Sequence, residues 1–234
     1  MTQGRVAAGI LGAFVAVGLA AAGWFVADAA RALRAGDRVV EVKGLAEREV
    51  AADLALWSLA YTTTADDLEG LHRALDQDAE AIATFLTERG FTSGEITRGP
   101  PNITDRDAFS SNNADQRYQA QAVALVRTDK VDAVKAAQQE TNALVAAGVT
   151  LNRNYEYPTE YLFTRLNEIK PDMIAEATKS AREAAEQFAE DSGSEVGGIR
   201  RARQGYFSIE DRDRLSPQVK RVRVVTTVEY FLTD

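Results

Sequence analysis

Basic side chains crowd one stretch near the carboxyl end. Between Gly197 and Arg223 stand eight of them, Arg200, Arg201, Arg203, Arg212, Arg214, Lys220, Arg221 and Arg223, against three acidic residues. Clustered guanidinium groups suit carboxylates, phosphates or an acidic partner surface, because the planar fork binds such groups with two parallel hydrogen bonds. The plainer reading is a polar strand face, or pairing with the chain's own acidic parts. Both remain open on residue types alone. If the face does bind, an acidic protein surface or a lipid head group fits it better than nucleic acid, since the whole chain carries a net charge of −8 and phosphate-backbone binders need a net basic face.

Other residues capable of chemistry are sparse. Carboxylates pair at Asp105 and Asp107, and again at Glu210, Asp211 and Asp213. Glycoside hydrolysis needs two carboxyls held across a cleft, whereas these neighbours are interleaved with Arg106, Arg212 and Arg214 and read as solvated ion pairs. His72 is the single histidine. A Ser–His–acid triad needs that base within hydrogen-bond reach of a nucleophile and oriented by a third group. His72 instead sits beside a hydrophobic helical stripe, a boundary or solvated position. There is no G-x-S-x-G elbow and no phosphate loop. The absence of cysteine removes disulfides, thiolate catalysis and cysteine-bound zinc or iron–sulfur sites. No catalytic, cofactor or metal residue is therefore assigned, and the expectation is a protein that is not an enzyme.

The elements that position these residues begin with residues 6–30, VAAGILGAFVAVGLAAAGWFVADAA, which are almost uncharged. A bilayer-crossing helix needs roughly 20 apolar residues, and Trp24 and Phe25 stand where aromatic anchors favour the interface. The expectation is a transmembrane signal anchor over 6–30 after a cytoplasmic stub, 1–5. Ala27-Asp28-Ala29 also resembles a cleavage site, so export as a soluble protein is the alternative. Arg31, Arg34, Arg38 and Lys43 follow the segment while Arg5 precedes it, and the positive-inside rule alone would keep the body in the cytoplasm.

Residues 31–37 read as a linker, and 38–234 as one folded domain. Arg38–Thr64 predicts two strands forming a hairpin around Ala51-Ala52-Asp53, with Gly44 as a bulge or bend. Leu68, Leu71, Leu75, Ile82, Phe85 and Leu86 mark a helix opened by Asp66 and Asp67 and stopped by Gly90. Residues 96–109, broken at Pro100-Pro101, and Tyr118–Arg127 predict a second hairpin with a turn at Ser110–Asn113. A helix over 130–147 capped by Asp129, with Val131, Val134, Leu144 and Val145 inward, precedes a strand over 149–157. Pro171 opens a third helix with Met173, Ile174, Ala177, Ala181, Ala184 and Phe188 buried. It ends at Gly193, and Gly197 and Gly198 read as loop. Strands over 196–209 and 219–232 complete an order ββα-ββα-βα-ββ. That pattern implies an α+β fold, one antiparallel sheet with helices on one face.

The pieces VKGLAEREVAADLALW (42–57), IATFLTERGF (82–91), RYQAQAVALVRT (117–128), IKPDMIAEATKSAREAAEQFAEDSG (169–193) and RVRVVTTVEYFL (221–232) resemble, in order and spacing, the SIMPL-domain family. The resemblance implies, for bacterial members, an envelope protein whose body lies in the periplasm, single-pass in the inner membrane. It is on this ground that the charge count at the anchor is overruled. It also implies a link to envelope or oxidative stress tolerance, and self-association into a homo-oligomer. It brings no catalytic residues and no cofactor. The kinase association of a mammalian relative is not carried over.

Overall fold

The computed structural model describes residues 16–27, 38–108, 116–152 and 158–233. Residues 16–27 are helical (α1) and exposed. At 1.5 Å per residue they span about 18 Å, short of a bilayer core. Among the described residues no helix is long and apolar enough to cross a membrane. The rest of the expected span 6–30, the linker 31–37 and the turn at Ser110–Asn113 lie outside the described residues.

The fold is α+β with antiparallel sheets, but it has two sheets where the sequence pattern implied one. The described residues fall into two compact units. One comprises residues up to Glu47, Lys170–Phe207 and Arg223 onward; the other comprises Arg48–Ile169 and Ser208–Val222. In chain order the elements are β1 (Val39–Ala51), β2 (Leu54–Ala65), α2 (Leu68–Glu88), β3 (Ile96–Arg98), β4 (Asn102–Asp105), β5 (Tyr118–Thr128), α3 (Val131–Gln139), α4 (Asn142–Ala146), β6 (Thr150–Asn152), β7 (Glu160–Leu162), α5 (Leu166–Ser192), β8 (Glu195–Gln204), β9 (Ser208–Asp211) and β10 (Val219–Thr233).

In the larger unit β2 is central. It pairs antiparallel with β5 along one edge and with β6 and β7 along the other, while β3 and β4 add to the far side of β5. Its register sets large against small: Trp57 opposes Val126, Leu59 opposes Ala124, and Tyr61 opposes Ala122. These residues are buried together with Ile82, Phe85 and Leu86 of α2 and Val134 and Ala137 of α3. The alternation of side chains along a strand delivers that apolar face. The ends of α2 match the sequence expectation and so does its stripe from Leu71 to Leu86, whereas Leu68 is 55% exposed. Asp67 accepts from the Gly70 amide as the N-cap, and Gly90 takes φ +85° at the carboxyl end.

Four expectations fail in instructive ways. The first hairpin does not form: β1 belongs to the four-stranded sheet and β2 to the six-stranded one. Ala52 and Asp53 donate their amides to Gln218 and Leu162 rather than closing a turn on each other's strands. The helix over 130–147 is two helices. Its N-cap is Lys130, with no side-chain cap bond, so Asp129 does not serve, and Val145 is 58% exposed. The third helix begins at Leu166, which leaves Pro171 inside it rather than at its first turn. Gly197 and Gly198 lie within β8, where its register with β10 slips, and not in a loop.

The smaller unit holds α5 against β1 and β10. Val40, Val228, Tyr230 and Leu232 form its core with Ala181, Ala185 and Ala189. The buried stripe on α5 is Met173, Ala177, Ala181, Ala185 and Ala189; Ala184 and Phe188 are exposed. The reason lies in β1. A Cβ built on Gly44 would stand 1.8 Å from the Ala177 carbonyl oxygen and 2.4 Å from the Ala181 nitrogen. The helix backbone thus lies directly on the strand, and only alanine-sized groups fit around that contact. The in–out alternation of β1 runs through Gly44 unbroken, so this glycine admits the helix and makes no bulge.

Candidate functional site

The eight basic residues divide by what they touch. Arg200 pairs with Glu229 at 2.9 Å. Arg212 bonds Asp213 at 2.9 Å and reaches Glu49 at 3.6 Å. Lys220 is buried on the inner side of β10 and paired to Asp211 of β9, so it belongs to no open surface. Arg221 is half-buried and also engaged. Arg201, Arg203, Arg214 and Arg223 are exposed, and among the described residues they have no acidic or hydrogen-bonding partner. The self-pairing expectation thus holds for part of the set and not for the rest.

Arg201, Arg203 and Arg223 lie in the smaller unit. Register places Arg201 opposite Glu229 and Arg203 opposite Thr227. Glu229 and Thr227 alternate along β10 with the buried Val228 and Tyr230, as Arg223 does with Val222 and Val224. All three arginines therefore share the sheet face turned away from α5. On the other face β8 sets Ile199 opposite Tyr230 and Ala202 opposite Val228. Yet every residue from Gly198 to Gln204 is exposed. The strand stands proud of its sheet with both faces uncovered, and at its end Tyr206 is 100% exposed. Nothing in the charge pattern points to Tyr206, which lies in the connection between β8 and β9.

The carboxylates are held in place by close partners. Arg117 clamps Asp105 at 2.7 Å and reaches Asp107 at 3.9 Å. The Arg117 guanidinium holds the Asp105 carboxyl below the ordinary range, and Arg212 does the same for Asp213. Both clusters are ion pairs on the surface, as expected, although Arg117 rather than Arg106 binds the first. His72 is exposed and stands 3.6 Å from Asp76 one turn along the helix. No group of three metal-ligating side chains occurs among the described residues.

Two carboxylates missed in the sequence organise the larger unit. Asp53, with its side chain 11% exposed, accepts from the Thr164 amide at 2.8 Å and hydroxyl at 3.0 Å and from Arg165. Burial works to raise its pKa, and these donors outweigh it and hold the group ionised. Glu95 accepts from the Thr128 hydroxyl, the Thr92 amide at 2.7 Å and Lys130 at 3.2 Å. The Thr128 bond leads in lowering its pKa from 4.5 to about 2. Thr92 lies three residues before Glu95 and forms a capping box with it, a signal the T-x-x-E spacing carries; the other donors lie 33 to 112 residues away, a separation that no local motif discloses. A shallow groove between α2 and α4 is floored by Ala81, Phe85 and Leu144, and Arg89 spans it, stacked 3.6 Å over Phe85 and bonded to Glu140.

Comparison with known proteins adds a family and little else. The family model described as SIMPL, protein of unknown function (DUF541), matches residues 40–230. Among curated proteins nothing matches. A solved structure, an uncharacterized conserved protein from Listeria innocua, matches at 15% identity over 80% of this chain and 92% of that one, with a TM-score of 0.20. At that score the likeness carries no argument about either fold or function.

Proposed function

Because the chain belongs to the SIMPL family, whose function is unknown, we propose that it is a non-enzymatic, membrane-anchored protein of the bacterial envelope whose folded body self-associates. The observation that carries this reading is β8, uncovered on both faces, with Ile199 53% exposed opposite the buried Tyr230. A strand whose apolar side continues a core without being covered is a surface completed by another molecule, and a second copy is the occupant always at hand. The apolar stretch 6–30 supports the anchor, and a periplasmic body with a role in envelope or oxidative stress tolerance follows from the family resemblance.

The chain has no cysteine, which makes topology directly testable. Leu215 is 94% exposed, and Leu215→Cys in intact cells should react with a membrane-impermeant maleimide. Labelling only after the inner membrane is opened would place the body in the cytoplasm and remove the envelope reading. Self-association is tested by light scattering of the detergent-solubilised full chain, and a strict monomer at all concentrations would refute it.

A second reading rests on the unpartnered arginines. The outer face of β8 and β10 would then bind an anionic small molecule or lipid head group.

A further inference from the structure

We infer that the outer face of the β8–β10 sheet docks on an anionic bilayer surface, with Arg201, Arg203 and Arg223 taking lipid phosphates. This deepens the second reading above by choosing the bilayer over a free anion, and it draws on the membrane-anchored reading for its setting.

Two observations converge. First, these arginines stand on one sheet face of a chain whose net charge is −8. Among the described residues none of the three forms an ion pair or hydrogen bond, Glu229 opposite Arg201 being taken up by Arg200, while Arg212 is also paired. An acidic protein that keeps guanidinium groups free on one face has a site matched to fixed negative charge. Second, the strand is regular only over Ala202–Gln204 and Arg201. Its register slips on either side of Tyr230, and such irregularities with charged side chains blunt a strand edge against pairing with another strand. The face, rather than the edge, is what remains available for contact. A basic segment near an anionic leaflet gains roughly fivefold in affinity per Lys or Arg, less as salt rises.

The absence of native cysteine allows a single reporter. Thr227→Cys, on the outer face opposite Arg203, labelled with a polarity-sensitive dye, is placed in the full chain reconstituted into vesicles. The emission should shift to the blue in vesicles containing phosphatidylglycerol, stay unshifted in pure phosphatidylcholine, and return on adding high salt. The shift should vanish when Arg201→Gln, Arg203→Gln and Arg223→Gln are combined, with the circular-dichroism melt unchanged. Equal shifts in both lipids, or none in either, would overturn the inference. So would a shift in neutral vesicles that grows with protein density, which would assign the face to a second copy. Free glycerol phosphate producing the same shift would leave a small-anion site and remove the bilayer. If the chain fails to float with neutral vesicles the anchored reading falls by itself, and phosphatidylglycerol vesicles added from outside still decide the docking face by the same blue shift.

Discussion

Gly44 and Thr226 are single atoms' worth of sequence with large structural consequences. At Gly44 the obstacle to a side chain is backbone, the Ala177 carbonyl at 1.8 Å from a built Cβ, and no rotamer change relieves it. Gly44→Ala should therefore push α5 off β1 and cost about 3 kcal/mol or more, read as a lowered denaturation midpoint; a loss under about 1 kcal/mol would mean that the helix yields freely. Thr226 is the reverse case. Its hydroxyl is buried, with no hydrogen-bond partner among the described residues, on the face of β10 beside Val224 and Val228. Thr226→Val keeps the shape and removes an unsatisfied polar atom, so unfolding should become harder by about 1 kcal/mol. A destabilised variant would show that the hydroxyl has a partner after all. Glycine and threonine were both visible in the sequence, but their roles depend on which backbone arrives opposite them.

Among the elements, what the sequence made legible were the local periodicities. Both ends of α2 and its stripe after Leu68 are legible directly, as is the alternation of Val222, Val224, Val228 and Tyr230 against Arg221, Arg223 and Glu229 in β10. Pairing between distant strands could not, and β1 and β2 were joined into a hairpin because adjacent strands usually pair. On α5 the sequence favoured the bulkier Phe188, whereas the burial of Ala185 and Ala189 reflects a close approach set by Gly44. Ala185→Leu should then cost about 1–3 kcal/mol, while Phe188→Ser stays within about 0.5 kcal/mol; the opposite ranking in urea melts would reject the alanine stripe as the packing face. Glu95 joins elements electrostatically. Its carboxyl is depressed from 4.5 to about 2 in the folded chain, so the unfolded state takes up protons first as acid is added. The stabilisation is complete above about pH 4.5 and is lost as pH falls toward 2. Glu95→Gln should lower stability at neutral pH and flatten the acid limb over that window. An acid limb unchanged from wild type would mean that the Thr128 and Lys130 contacts carry no weight.

For the molecule as a whole, β8 presents two different faces, and they can be separated by salt. Ile199 lies on the side that continues the α5 core, opposite Tyr230, while Arg201 and Arg203 oppose Glu229 and Thr227 on the other. Association of copies through the Ile199 side buries apolar surface, and that driving force persists or grows with salt. Contact of the arginine side with an anionic bilayer weakens as counterions screen it, with a Debye length near 3 Å at 1 M. Ile199→Asp should accordingly yield a monomer by light scattering at both low and high salt. It should leave the melting temperature close to wild type, since a residue 53% exposed contributes little to the fold of its own chain. The combined arginine variant should keep the oligomer and lose only the lipid response. Should Ile199→Asp leave the oligomer intact while the arginine variant dissolves it, the faces would be reversed. The basic side of β8 would then be the protein interface, held by ion pairs to a second copy and sensitive to salt.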